Sequence, residues 1–178
     1  MKRTLTVILV LISTLSYSQI SSESDIFKKI INYEIEKGIL GIYIQCQKPK
    51  TSFDLKDFKE QTELQVPDNI LKEIETNATK SNTGIWNAEL IDNLNYEYGH
   101  INSKKCLTKK DAELLFEQTG KRQSIISISE PIFDKSRENC IVNVDYWKFK
   151  GSHYGHSYFL KKVYGIWTIV ITYNNYMT

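Results

Sequence analysis

Cys140-Ile-Val-Asn-Val-Asp-Tyr-Trp-Lys-Phe149 is the stretch whose reading decides the fold. Its apolar residues alternate. By the period-two rule Cys140, Val142, Val144 and Tyr146 share one face of a strand, while Asn143 and Asp145 fall on the other. Three more strand-like runs surround it: Ser124 to Ser129, His156 to Val163 and Ile166 to Tyr173. Pro131 with Asp134-Lys135-Ser136, then Gly151 to Gly155, then Tyr164-Gly165 punctuate them. Short strands separated by such breaks predict an antiparallel meander. In the last run the same alternation puts Trp167, Ile169, Ile171 and Tyr173 on one core face.

Upstream, the period changes from two to that of a helix. Ser22-x-x-Asp25 forms a capping box before Phe27, Ile30, Ile31 and Ile35, and Gly38 supplies a stop. Ile39 to Cys46 reads as a strand that ends at Lys48-Pro49. A short helix from Asp54 is expected, then one opened by Pro67 with Ile70, Leu71 and Ile74 on its apolar face. Asn77 to Gly84 reads as a polar loop, Trp86 to Leu90 as a short strand or an anchor, and residues 92–106 as irregular. Thr108-x-x-Asp111 opens a further helix that Gly120 ends. Helices followed by a run of strands predict an α+β domain. The expected arrangement is a C-terminal four-stranded antiparallel meander with the N-terminal and central helices packed on one face.

Residues 1–18 have a different character. Lys2 and Arg3 precede an apolar run from Leu5 to Leu15, and Ser16 and Ser18 stand three and one positions before Gln19. That is the layout of a secretory signal peptide. The run is shorter than the roughly 20 residues a membrane span needs. The expected mature chain is one domain, residues 19–178, exported to the periplasm or the extracellular space and not held at a membrane after cleavage. Without Lys2 and Arg3 it carries 21 basic residues against 21 acidic. Nucleic-acid binders show a basic excess or stripe, so nucleic acid is not an expected partner. The chain has eleven tyrosines, at home both in strands and on binding surfaces.

Cys46, Cys106 and Cys140 allow at most one internal disulfide. Cys106 with Cys140 is the pair expected from sequence, beside the alternative of three unpaired thiols. No C-x-x-C occurs.

Ile128-Ser-Glu-Pro-Ile-Phe133, Cys140-Ile-Val-Asn-Val144, Phe159-Leu-Lys-Lys162, Gly165 and Trp167 together resemble the C-terminal hairpins of small exported proteins of unknown function from Bacteroidota-type bacteria. The likeness covers residues 124–173 and the style of the signal peptide. It implies a C-terminal sheet and carries no activity and no site residues.

Two of the three histidines lie together in His153-Tyr154-Gly155-His156. Read as a loop, this segment could aim both imidazoles at one point, and imidazole is a common zinc ligand. Zinc needs at least three protein ligands; His100, Asp145 or Glu97 could complete the set. With Asp145 as orienting acid, the same histidines could act as general bases. Cys140 with His156 and Asn143 or Asp145 forms a nominal nucleophile set, but Cys140 alternates onto the apolar face. No phosphate loop, dinucleotide fingerprint, calcium loop or HExxH motif is present, so no cofactor is expected. The expected function is a non-catalytic binding or interaction module for an envelope or extracellular protein or a small ligand. The competing reading is a small exported hydrolase, metal-assisted through His153 and His156.

Overall fold

The computed structural model describes residues 22–92, 94, 101–103 and 105–177. Residues 1–18, read above as a signal peptide, lie outside them, as do Glu97 and His100. In chain order the elements begin with helix α1 over residues 22–36. Strands β1 (Ile42–Ile44) and β2 (Gln47–Lys48) follow, then α2 (Leu55–Gln61), α3 (Asp68–Lys80), β3 (Gly84–Ile85), α4 (Ala88–Asp92) and α5 (Lys109–Thr119). The C-terminal part is all strand: β4 (Ser124–Ile128), β5 (Ile132–Phe133), β6 (Asn139–Lys148), β7 (His153–Val163) and β8 (Ile166–Met177).

The fold is α+β. The main sheet has six strands, ordered β1-β4-β6-β7-β8, with β5 also paired to β6. From β4 to β8 the pairing is antiparallel, and β1 joins β4 in parallel. The sheet is therefore larger than the four strands read from sequence. β2 and β3 form a separate two-stranded ribbon.

Helix ends follow from local chemistry. The Asp54 side chain accepts a hydrogen bond from the Asp57 amide at the start of α2. Thr108 and Asp111 make a reciprocal capping box on α5, and Gly120 ends that helix at φ 65°. α3 takes in Asn77 to Lys80, the first four residues of the expected Asn77–Gly84 loop, because Ala78 is apolar and buries. Trp86 is an anchor rather than a strand residue: it is buried, and its Nε1 donates to the Ile128 carbonyl over 3.0 Å.

The expectation of helices on one sheet face is corrected. Cys140, Val142, Val144 and Tyr146 pack with Ile26, Phe27, Ile30 and Ile31 of α1. The opposite face carries two further clusters. Ile141 and Phe159 meet Phe58 of α2 and Leu71, Ile74 and Ala78 of α3, while Ile125 and Trp147 meet Ala112 and Phe116 of α5. The centre of the sheet is apolar on both sides, so each side needs a cover.

The single core face expected for β8 is also corrected. Trp167 and Ile169 join the α1 side, whereas Ile171 and Tyr173 join the α3 side. A register shift puts Leu160 opposite Ile169 but Phe159 opposite Ile171. The extra residue, Val170, is a β-bulge, and it reverses the alternation beyond it.

The disulfide joins Cys46 to Cys106, with Cα atoms 4.9 Å apart. The Cys106–Cys140 pairing is thus replaced. Cys46 follows β1 at the sheet margin, where Gln45 bridges to Leu107. Cys140 lies fully buried in mid-sheet, and burial pushes its thiol up, which disfavours a thiolate.

Candidate functional site

The chain turns from β6 to β7 earlier than the glycines suggest. Lys150 takes φ 53°, the Gly151 amide bonds the Lys148 carbonyl, and the strand resumes at His153. Regular pairing then runs from Trp147 opposite His153 to Val144 opposite His156. Three residues of strand put the two imidazoles on opposite faces. His153 joins Asp145; His156 joins neither. Both nominal sets that need the two histidines together come apart. Cys140 is also distant from His156, since it faces Leu160. Among the described residues no group of three or more His, Cys, Asp and Glu side chains could hold a metal ion.

Two polar clusters result, one per face. On the α1 face His156 Nε2 lies 2.9 Å from Glu34 Oε1 and 2.8 Å from the Tyr158 hydroxyl. Tyr158 donates to Glu34 and accepts from Lys37 Nζ at 3.1 Å. Glu34 is 2% exposed. Burial alone would push its carboxyl up, but His156, Tyr146 and Tyr158 outweigh burial and hold it below its ordinary value. Tyr146 acts from further away: its buried hydroxyl makes no hydrogen bond of ordinary length. The negative charge in turn raises the Tyr146 and Tyr158 hydroxyls, though burial is the larger cause for both.

On the other face Asp145 lies between the α3 and α5 clusters. His153 Nε2 is 3.4 Å from Asp145 Oδ1, and Tyr176 donates to the same oxygen. Two sequence features permit this. A second register shift between Gly155 and Ser157, with Asn174 at φ 54°, returns Tyr176 to the face of Tyr173. Gly155 then leaves room for the phenol. A Cβ there would stand 2.5 Å from Asp145 Oδ1 and 2.6 Å from the Tyr176 hydroxyl oxygen. Burial pushes the Asp145 carboxyl above its ordinary value, and His153 pulls it partly back.

No family model, no curated protein and no solved structure matches the chain.

Chemically, both clusters are closed. Glu34, His156 and Tyr158 satisfy one another beneath α1, and Asp145 is capped by His153 and Tyr176. Each holds a charge in place. Glu34 and Tyr176 are absent from the residues that motifs single out, yet each leaves a trace. Glu34 stands four residues after Ile30 and seven after Phe27, on the apolar stripe of α1. Asn174-Asn175 interrupts a strand otherwise made of β-branched and aromatic residues up to Tyr173, a break that favours a bulge.

A third feature is open. β8 ends the main sheet, and among the described residues no strand pairs with its outer edge. Its twelve residues, Ile-Trp-Thr-Ile-Val-Ile-Thr-Tyr-Asn-Asn-Tyr-Met, carry no charge. Ile166 and Val170 are exposed along it, and Tyr164 at the hairpin tip is fully exposed.

Proposed function

We propose that this chain is an exported, non-catalytic binding module that captures a protein partner through the outer edge of β8. The uncharged edge carries the reading. Sheets usually protect a terminal strand with lysines, other charges or a covering segment. Here the two bulges limit pairing, and near the C-terminal end Gln61 of α2 accepts from the Asn174 amide at 2.8 Å. An extended partner segment would add main-chain hydrogen bonds to the edge, and Ile166, Val170 and Tyr164 would supply apolar contacts. The matching partner is a protein that offers an uncharged, extended strand. The Cys46–Cys106 disulfide supports export, since such bonds persist in oxidising compartments. Periplasmic or extracellular placement follows from that reading, as does signal cleavage before Gln19. No helix among the described residues is long and apolar enough to cross a membrane.

The hydrolase reading has less support, because it drew on two histidines that the sheet sends to opposite faces. A photo-reactive amino acid placed at Tyr164 or Val170 of the full chain, in the producing organism, tests the proposal. One discrete partner adduct is expected, absent when Ile166→Lys is added. Equal adduct yield from Glu117, exposed on α5, would overturn it.

A further inference from the structure

The α1 face of the sheet extends past the end of its helix. There Ser124 pairs with Lys148 and Tyr146 with Tyr154, so by alternation all four project to the same side. They floor a cleft of about 330 Å³, walled by the α1–β1 turn through Leu40. The contents of this cleft are unusual for a surface that meets only water. Leu40 is 66% exposed and Tyr154 44% exposed. Tyr154 stacks on Tyr146, with centroids 4.8 Å apart and planes at 15°, and so presents a flat aromatic step. Lys148 is the sole charged residue of the lining, and the hydroxyls of Ser124 and Ser152 flank it.

We propose that this cleft is a binding site for a small planar ring that carries an anionic group such as a carboxylate. The ring would extend the Tyr146–Tyr154 stack and cover Leu40, since aromatic rings favour offset stacking. The anion would meet Lys148 and accept from the serine hydroxyls. No carboxylate lines the cleft, and the Glu34 charge that acts on Tyr146 and Tyr154 lies outside that lining. The volume suits one ring or two fused rings, at the lower end of small-molecule pockets. This site is separate from the β8 edge, and it stands or falls without it.

The experiment is an amide-detected NMR titration of the mature, disulfide-bonded protein with naphthalene-1-acetate and its neutral amide. Saturable shifts are expected at Tyr146, Lys148 and Tyr154, with the neutral amide about threefold weaker because Lys148 is partly solvated. Lys148→Met should abolish that difference, and Tyr154→Ala should weaken both probes about tenfold by removing the stacking surface. Lys148 is exposed, so its variant tests the idea even if Tyr154→Ala unfolds. Absent or scattered shifts overturn the site. Equal binding of the two probes to the unaltered protein, or a difference that survives Lys148→Met, overturns the anionic class.

Discussion

Gly155→Ala probes the geometry of the Asp145 cluster most directly. The new methyl would sit 2.5 Å from Asp145 Oδ1, 2.6 Å from the Tyr176 oxygen and 2.7 Å from its Cζ. Something must move. If the neighbours stay, the overpacking costs about 1–3 kcal/mol. If Tyr176 swings away, its bond to a carboxylate is lost. Such bonds contribute about 1.5–3 kcal/mol when buried, but the Asp145 side chain is 21% exposed, so about 1–2 kcal/mol is the fitting figure. The two routes are alternatives, and the expected loss is about 2 kcal/mol either way. Urea unfolding at neutral pH reads it. A double-mutant cycle then isolates the cause. In a Tyr176→Ala background the phenol over Gly155 is gone, the Asp145 carboxylate, 2.5 Å from the new methyl, can turn into the vacated space, and alanine suits a strand better than glycine by roughly 0.5–1 kcal/mol. Gly155→Ala should then cost close to nothing, a coupling of about 1.5–2 kcal/mol. In a Tyr176→Phe background the ring remains and most of the cost should remain with it. The reasoning is refuted if Gly155→Ala is equally costly with and without the Tyr176 ring.

Three other expectations follow from the same structure. Glu34→Gln or His156→Ala leaves a buried hydrogen-bonding partner unsatisfied and should destabilise by about 1–3 kcal/mol. Because Glu34 is held below its ordinary 4.5, its contribution is present above that value and is lost as pH falls through the folded pKa. Asp145, raised above 3.8, has the opposite sign and lowers stability as pH climbs past that value. Urea midpoints taken against pH should therefore lose acid sensitivity in Glu34→Gln and gain it in Asp145→Asn. Reduction of Cys46–Cys106, which closes a loop with a sequence separation of 60, should cost about 4 kcal/mol in the chain-entropy account. Denaturation with and without reductant measures it. Cys140 should stay silent toward a thiol reagent in the native protein and react as one equivalent once unfolded; native-state labelling would show that its burial is wrong.

What the sequence reveals here depends on whether a rule is local. The Thr108–Asp111 box, the Asp54 cap and the alternation from Cys140 to Tyr146 are each decided within a few residues, and each is legible. The Cys46–Cys106 pairing is not, because β1 must first lie parallel to β4 before residue 45 can bridge residue 107. The histidines show a subtler failure. Gly151 and Gly155 look alike as loop signals, but only Gly151 lies in the turn. Gly155 serves inside a strand, where it clears space for a tyrosine 21 positions later. A glycine read as flexibility, when its function is vacancy, moves the strand start by three residues and merges two faces into one site. The bulges act in the same way. Period two is a sound rule only while every residue has one partner. At Val170 and around Asn174 the longer strand gains a residue on its neighbour, and each gain reverses the face. Two reversals in one strand divide its apolar residues between two cores and still deliver Tyr176 to Asp145. The Asp145 cluster thus depends on irregularity in an edge strand, and deletion of Asn174 should remove Tyr176 from it while the Tyr173 core contact stays.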